Sequence, residues 1–237
     1  EGVHYYEVDM TLNAGFGAVT TSIANPPLLI GEAAEKLSAI NHAVNDEILV
    51  TAFANSSGFG SYDSFHTFTV SAAGVNTTPI ISANVATPIA VGGGRRGNLK
   101  FSPDGQFLVS CNMSRNSGAR SYIYDFDQST GIVSNERPIL MQAPNNNGYG
   151  VEFSPDSSLL YITATNDANG NSAASHTSSL YQYELTPGNL AAAGLTGLEI
   201  DNRPGYRGSL QLGIDGKIYR ALADTYDIGR PFLGVIN

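Results

Sequence analysis

Short segments in which apolar and polar residues alternate, separated by turn-forming residues, make up most of the chain. One such segment occurs three times, at 99–109, at 151–161 and, in a looser form, at 210–219. In the first copy, Ser102-Pro103-Asp104-Gly105 separates two alternating runs. Pro fixes φ at about −65°, the Asp side chain can bond its own backbone, and Gly accepts positive φ, so this sequence favours a tight turn. The pattern predicts a β-hairpin in each copy.

A second type of strand follows the hairpins, with large apolar or aromatic side chains at alternate positions. It occurs at 122–126 and 181–185, with related segments at 66–70 and 4–8. These segments begin 62, 56 and 59 residues apart along the chain. Such alternation is typical of strands with one buried face. The chain is therefore built from repeats of slightly less than 60 residues.

Repeats that each contain several short strands are typical of a β-propeller, in which every blade is a four-stranded antiparallel sheet. We therefore predict an all-β fold that forms a single β-propeller. The predicted repeats lie at about 1–30 (the end of a blade), 31–90, 91–144, 145–200 and 201–237. The stretch 31–37 contains helix-favouring residues but is too short for a stable helix, and we interpret it as a loop excursion.

The repeat length leaves room for about four blades in 237 residues, which is the low limit of this architecture. Two interpretations remain open: a small or irregular propeller, or a part of a larger one. We favour a part of a six- or seven-bladed ring. Its open sheet edges would then be covered by another chain or by a missing part of the same chain.

The composition narrows the classes of partner. The chain has 12 basic and 21 acidic residues and a formal net charge of −9, whereas nucleic acids and anionic membranes attract clustered Lys and Arg. No apolar run approaches the roughly 18 residues of a membrane span. We therefore expect no nucleic-acid partner and no membrane span.

Neither the cysteine content nor the first residues point to a special class of protein. Cys111 is the only cysteine, which excludes an internal disulfide and a four-cysteine metal site. The first residues carry no targeting signal, and a cleaved or missing N-terminus stays open.

Several motifs, taken in order, resemble the propeller region of large Bacteroidota surface proteins. They lie at 2–10, 150–156, 180–185, 210–219 and 233–237. Proteins of that family usually end in a gliding-motility-associated C-terminal domain, the type B sorting signal of the type IX secretion system, which this sequence does not include. The resemblance implies an extracellular, surface-displayed protein that interacts with the secretion machinery, with gliding or adhesion as its setting. The family has no established catalytic residues that could be assigned to positions of this chain.

The repeated hairpin also gives a register for locating a binding site. Aligning Phe101 with Leu212 places Arg96 opposite Arg207, and each arginine precedes a Gly just before a predicted innermost strand. In a propeller these positions surround the mouth of the central channel, where a carboxylate or a glycan can bind. The candidate ligand-binding residues are Arg96, Arg207, Asn147, Tyr149 and Glu152.

Two alternatives remain open for these residues. The glycine-rich segment 92–97 can be a linker between blades, and the arginines can pair with Glu152 and close the ring.

A separate candidate, Asp167, Asn169 and Asn171, has the alternating oxygens of a calcium loop, although Ser172 replaces the required Gly. A polar loop is the favoured interpretation there, and calcium is the one cofactor considered.

No catalytic pattern is recognisable in the sequence. The four histidines, at 4, 42, 66 and 176, are widely spaced, and there is no Gly-x-Ser-x-Gly nucleophile motif. We therefore predict that the chain is not an enzyme but a binding or assembly module with a protein or glycan partner at the cell surface. The alternatives are a glycan-binding, lectin-like propeller and a propeller enzyme of the lactonase or lyase type.

Overall fold

Four antiparallel sheets follow one another along the chain as the blades of a β-propeller. The computed structural model describes residues 2–21, 28–57, 60–83, 85, 88–89, 96–113, 121–166 and 173–237. The predicted all-β propeller with antiparallel blades is confirmed. None of the helices in these residues is long and apolar enough to span a membrane.

The first strands form two small pairs before the blades begin. Strands β1 (Val3–His4) and β4 (Leu28–Ile30) pair with each other, as do β2 (Val8–Asp9) and β3 (Ala18–Val19). The first blade consists of β5 (Ala33–Asn41), β6 (Ile48–Ala54) and β7 (Ser64–Ser71), with β8 (Gly74–Val75) and β9 (Ile80–Ser82) both paired to β7.

The other three blades are simple antiparallel sheets in chain order. The second blade consists of β10 (Leu99–Phe101), β11 (Phe107–Ser110), β12 (Ser121–Asp127) and β13 (Ile132–Ile139). The third consists of β14 (Asn147–Phe153), β15 (Leu159–Thr165), β16 (Thr177–Glu184) and β17 (Leu198–Pro204). The fourth consists of β18 (Leu210–Leu212), β19 (Ile218–Arg220) and β20 (Gly234–Ile236). In the described residues, helical structure is limited to α1 (Pro187–Leu190) and the 3₁₀ turns Asn13–Gly15 and Ala173–Ser175.

The prediction of a loop excursion at 31–37 is wrong, because this stretch enters strand β5, the first strand of the first blade. A bulge between Ala33 and Leu37 lets β5 stay paired with β6 while Ala33, Ala34 and Lys36 are buried. The helix preference of these residues is a weak local term, and sheet pairing with burial overrides it.

The three predicted hairpins are confirmed as β10–β11, β14–β15 and β18–β19. In the first, the Ser102 hydroxyl accepts the Phe107 N–H (2.9 Å) and donates to Asp104 Oδ1 (2.5 Å). The second copy repeats this network at Ser154, Leu159 and Asp156. The Ser-Pro-Asp sequence therefore recurs because each of its polar side chains helps to close the turn.

The first strands of neighbouring blades contact each other, β5 with β10, β10 with β14 and β14 with β18, and we call these four the inner strands. Glu152 of β14 links two neighbouring blades from this position, although it is 1% exposed. Its carboxylate binds Lys100 Nζ of β10 (2.7 Å) and accepts the Leu212 N–H of β18 (2.8 Å). Ser38 of β5 plays a related part, because its hydroxyl accepts the Phe101 N–H of β10 (3.2 Å). Polar side chains of the inner strands thus fix the register between blades.

Lys36 links the first and second blades through a buried amine. Its Nζ donates to the Cys111 carbonyl oxygen (2.5 Å) and to Asn112 Oδ1 (2.7 Å), and the Phe53 ring lies beside it. Burial lowers the pKa of this amine from 10.5 to about 7, against the opposing effects of Cys111 and Glu35. The junction therefore contains an amine that titrates near neutral pH.

Replacing Glu152 with Gln is expected to lower the free energy of unfolding by about 2 kcal/mol, because the amide loses the Lys100 ion pair and sets an NH₂ against a backbone N–H. Urea unfolding followed by circular dichroism measures the difference. The control, Glu184→Gln, changes an exposed glutamate of β16 and is expected to have little effect. Equal losses in the two variants would contradict the linking role of Glu152.

The stability of the protein is expected to rise between about pH 7 and about pH 8.5, by up to about 1.4 kcal/mol per pH unit. In this range the unfolded chain still holds the Lys36 proton that the folded chain has lost, so deprotonation favours the folded state. Burial raises the pKa of the Cys111 thiol to about 11, so that group stays protonated.

Thermal unfolding of wild type, Lys36→Met and the exposed-site control Lys217→Met across this range tests the assignment. We expect the pH slope to flatten in Lys36→Met alone. A slope that persists unchanged in Lys36→Met would show that another group causes it.

Candidate functional site

Contacts from the second and fourth blades converge on Tyr149 of the third blade. Tyr149 lies in β14, and its backbone carbonyl accepts the N–H of Asn98, which directly precedes β10 (2.8 Å). Its ring contacts the guanidinium of Arg207, which precedes β18, with Cζ 5.5 Å from the ring centroid. The second, third and fourth blades therefore meet at this tyrosine.

Arg207 contacts two aromatic rings. Besides Tyr149, its guanidinium packs on Tyr206, with Cζ 4.5 Å from the ring centroid, and its Nη2 donates to the Tyr206 hydroxyl. A guanidinium is planar and stacks well on aromatic faces. These contacts hold the positive charge of Arg207 in a defined orientation at the rim.

Two further rings extend the site through Tyr206. The His176 ring centroid lies 5.4 Å from that of Tyr206, and Tyr226 packs edge-on against it at 5.8 Å. These residues come from three loops, before β16, between β17 and β18, and between β19 and β20. We call the set Tyr149, His176, Tyr206, Arg207 and Tyr226 the rim cluster.

Close packing of the backbone explains why a glycine follows each of the two predicted arginines. A Cβ on Gly97 would clash with the Cys111 carbonyl oxygen, and one on Gly208 would clash with the Ala221 carbonyl oxygen. Both glycines thus allow the chain before an inner strand to approach the end of the second strand of the same blade. The equivalent environments of Gly97 and Gly208 agree with the register that placed Arg96 opposite Arg207.

The structure separates the five predicted ligand-binding residues. Arg207 and Tyr149 are in direct contact. Arg96 pairs through its backbone with Met113, whose N–H it accepts (3.1 Å). Asn147 is buried and donates to the Thr165 carbonyl oxygen (3.1 Å).

Glu152 is buried at the blade junction described above, where its ion-pair partner is Lys100 and not an arginine. The structure thus gives Asn147 and Glu152 contacts within the fold. Arg207 and Tyr149 are the two predicted residues that are in contact with each other.

The calcium candidate Asp167, Asn169 and Asn171 lies outside the described residues, as does most of the segment 92–97. Within the part of the chain that the structure describes, no group of three or more His, Cys, Asp or Glu side chains could hold a metal ion.

Sequence reasoning missed Tyr206, His176 and Tyr226. Tyr206 directly precedes Arg207 in the sequence. An aromatic residue next to a predicted ligand-binding arginine could therefore have indicated that Tyr206 belongs to the site. His176 and Tyr226 are far from Arg207 in sequence, and strand pairing brings them close to its neighbour Tyr206: the Gly205 N–H binds the His176 carbonyl oxygen and the Tyr206 N–H binds the Ala223 carbonyl oxygen.

The rim cluster combines the groups that bind small polar anions. A guanidinium forms two parallel hydrogen bonds with a carboxylate, and aromatic faces pack on apolar faces of a ligand. The His176 ring lies in the same cluster, and its nitrogen atoms can exchange hydrogen bonds or a proton with a ligand. The arrangement therefore suits an anionic organic ligand and allows acid-base chemistry on it.

Searches by sequence find no relatives, whereas the fold resembles solved structures. No model of a protein family and no curated protein matches the chain. The periplasmic gluconolactonase PpgL of Pseudomonas aeruginosa is 14% identical, and the match has a TM-score of 0.59 and covers all of this chain and 63% of that one. A proposed 6-phosphogluconolactonase of Bacteroides fragilis is 12% identical, with a TM-score of 0.51, and the match covers 100% of this chain and 68% of that one.

A second proposed 6-phosphogluconolactonase, from Bacteroides uniformis, is 17% identical with a TM-score of 0.45, over 78% of this chain and 46% of that one. The chain thus spans less than two thirds of the Bacteroides uniformis protein and of PpgL. At these identities the similarity shows the propeller fold.

The comparisons contradict the prediction that the chain is not an enzyme. Two structures that match it over its whole length, PpgL and the Bacteroides fragilis protein, are both named as lactonases. The prediction rested on the absence of sequence motifs. Such motifs are not needed in a propeller, where side chains from separate loops meet at one rim, as His176 and Arg207 both contact Tyr206 here.

Proposed function

We propose that the rim cluster binds a sugar acid or its lactone, and that the chain is the ligand-binding part of a lactonase-like propeller. The observation that carries this proposal is the Arg207 guanidinium held against Tyr149 and Tyr206 where three blades meet. The names of PpgL and of the Bacteroides fragilis protein, which match the whole chain, support the same ligand class.

The chemistry of the cluster explains why a sugar acid suits it. The carboxylate would bind Arg207, and the C–H faces of the sugar chain would pack on the tyrosine rings. The net charge of −9 opposes binding of anions to the protein as a whole. Binding therefore depends on a local positive charge, which Arg207 supplies at this rim.

Hydrolysis of the lactone is a second candidate function, favoured by the position of His176 beside Tyr206. Water adds to the lactone carbonyl carbon, the ring C–O bond breaks, and the products are a carboxylate and a hydroxyl group. His176 would accept a proton from the attacking water and pass it to the ring oxygen as the C–O bond breaks, and Arg207 would stabilise the negative charge on the carbonyl oxygen. The carboxylic acid formed then releases its proton to solvent.

An envelope or extracellular location is part of the proposal. It is supported by the periplasmic origin stated for PpgL and by the sequence resemblance to Bacteroidota surface proteins. Type IX secretion, gliding, adhesion and a protein or glycan partner at the cell surface remain proposals that rest on that resemblance alone.

Replacing Arg207 with Gln is expected to weaken the binding of D-gluconate about tenfold or more, because the variant loses a charge-assisted hydrogen-bonding group. Arg207→Lys keeps the charge without the planar fork and should fall between Gln and wild type. Isothermal titration calorimetry with gluconate, and with the neutral polyol sorbitol for comparison, measures the effect.

The control is Arg137→Gln, which removes an arginine of β13 that pairs with Asp125 in the second blade. This variant should bind gluconate as wild type does. Equal affinity of wild type and Arg207→Gln for gluconate would refute the site. Equal affinity of the wild type for sorbitol and gluconate would favour a neutral-glycan site.

A separate assay tests the hydrolytic function. It would be established if the protein opens glucono-1,5-lactone faster than the spontaneous rate and His176→Ala loses this activity.

A further inference from the structure

Tyr149 lies in a β-bulge of strand β14. The pairing of β14 with β15 is regular up to Gly148 and resumes at Val151, so that Tyr149 and Gly150 both lie opposite Thr163. A bulge bends its strand and changes the direction of a side chain, and bulges are frequent next to functional sites. The bulge therefore helps to determine where the Tyr149 ring lies relative to the fourth blade.

The second and fourth blades have regular pairing at the corresponding place. The Cys111 N–H binds the Asn98 carbonyl oxygen in the second blade (3.0 Å), and the Ala221 N–H binds the Ser209 carbonyl oxygen in the fourth (3.0 Å). When the two Ser-Pro-Asp turns are aligned, Cys111 is the counterpart of Thr163. The bulge, together with a hydroxyl group at position 163, thus distinguishes the third blade from these two.

The Thr163 hydroxyl joins two segments at this place. Thr163 is 1% exposed, and its Oγ1 accepts the Gly150 N–H (2.9 Å) and donates to the Gly208 carbonyl oxygen. A hydroxyl group has one proton to donate and lone pairs that accept, so both bonds can form at once. One buried hydroxyl therefore connects the bulge of the third blade to the segment that leads into the fourth.

The glycine at position 150 lets the two backbones come this close, because a Cβ there would clash with the Gly208 carbonyl oxygen. Tyr149 directly precedes Gly150, and Arg207 directly precedes Gly208. Thr163 thus binds the neighbour of each partner in the contact between the Arg207 guanidinium and the Tyr149 ring, in which Cζ lies 5.5 Å from the ring centroid.

We propose that Thr163 is a positioning residue of the rim cluster, whose hydroxyl holds Tyr149 and Arg207 at the separation that binds the carboxylate of a sugar acid. The ligand in this statement rests on the proposed function, whereas the hydroxyl bridge does not. Because the hydroxyl is buried, it acts through Tyr149 and Arg207 and does not touch the ligand. Its loss leaves two buried backbone groups without this partner, and the segments that carry the site then shift.

Isothermal titration calorimetry with D-gluconate tests this role. Thr163→Val keeps the size of the side chain and removes the hydroxyl, and it should bind gluconate about fivefold more weakly or worse. Thr163→Ser keeps the hydroxyl and should bind within about twofold of the wild type. The control Thr51→Val removes a similarly buried hydroxyl of the first blade, which bonds to Thr67 Oγ1 (2.9 Å), and should bind as the wild type does.

Thr163→Cys takes the place of Thr163→Val if that variant does not fold. A cysteine occupies the corresponding position of the second blade, and a thiol is a weak hydrogen-bonding group, so this variant should fold and also bind gluconate more weakly. Wild-type affinity in Thr163→Val or Thr163→Cys would overturn the proposal.

A double variant distinguishes positioning from a general loosening of the fold. If Thr163 acts through Arg207, adding Thr163→Val to Arg207→Gln should weaken gluconate binding by less than about twofold more, as measured by NMR titration. A further loss as large as the loss in Thr163→Val alone would show that Thr163 acts independently of Arg207 and would overturn the proposal.

A measurement without ligand separates this proposal from the proposed function. The tyrosine rings shift the NMR signal of the Arg207 Nε–H, which is identified by its absence in Arg207→Gln. In Thr163→Val this signal should move toward that of free arginine, and in Thr163→Ser it should stay in place. If the signal moves but the wild type does not bind gluconate, the proposed ligand is wrong and the positioning role holds. A signal that stays in place in Thr163→Val would overturn the positioning role, whether or not gluconate binds.

Discussion

The arrangement of the blades depends on how their inner strands are held together, and the buried Glu152 carboxylate is central to this. A carboxylate removed from water is costly unless each of its oxygens has a partner. Here the partners are Lys100 of the second blade, Leu212 of the fourth, and the Phe153 N–H beside it. Apolar packing between blades is not directional, whereas these hydrogen bonds are. These hydrogen bonds therefore fix the register of the inner strand of one blade relative to the inner strand of the next.

The position of the rim cluster follows from this constraint. Tyr149 lies three residues before Glu152 on the same inner strand. The contacts that fix Glu152 therefore also fix the position of the tyrosine along the strand direction. Arg207 precedes β18, whose Leu212 N–H binds Glu152, and is set in place in the same way. A small change in blade register would separate the guanidinium from the ring. The junction between blades thus positions the candidate ligand site.

Much of the fold could be predicted from the sequence because hairpins and alternating strands are local patterns. The Ser-Pro-Asp turns at 102–104 and 154–156 determine their own hydrogen bonds. The alignment of Phe101 with Leu212 agrees with the equivalent surroundings of Gly97 and Gly208. Strand β5 was missed because its preference for sheet comes from pairing with β6 and from burial, which a local pattern of Ala and Glu does not reveal.

The site could be predicted only in part, for a similar reason. The blade junction gives one example. In the sequence, Lys36 is one charged residue in a helix-favouring stretch, and the atoms that accept its hydrogen bonds, in Cys111 and Asn112, lie about 75 residues away along the chain. His176 and Tyr226 join Tyr206 through backbone pairing between segments far apart in sequence, since Gly205 binds His176 and Tyr206 binds Ala223. The repeated hairpin gave a register for Arg207, but it carries no information about the loops that bring His176 and Tyr226 to Tyr206.

The central claim is that the meeting point of the second, third and fourth blades is the ligand site. Titration of isotopically labelled protein with D-gluconate, followed by heteronuclear NMR, tests it most directly. The account predicts saturable shifts concentrated at Tyr149, His176, Tyr206 and Arg207, with the outer strands unchanged. Saturable shifts located elsewhere, or no shifts at saturating ligand, would contradict it.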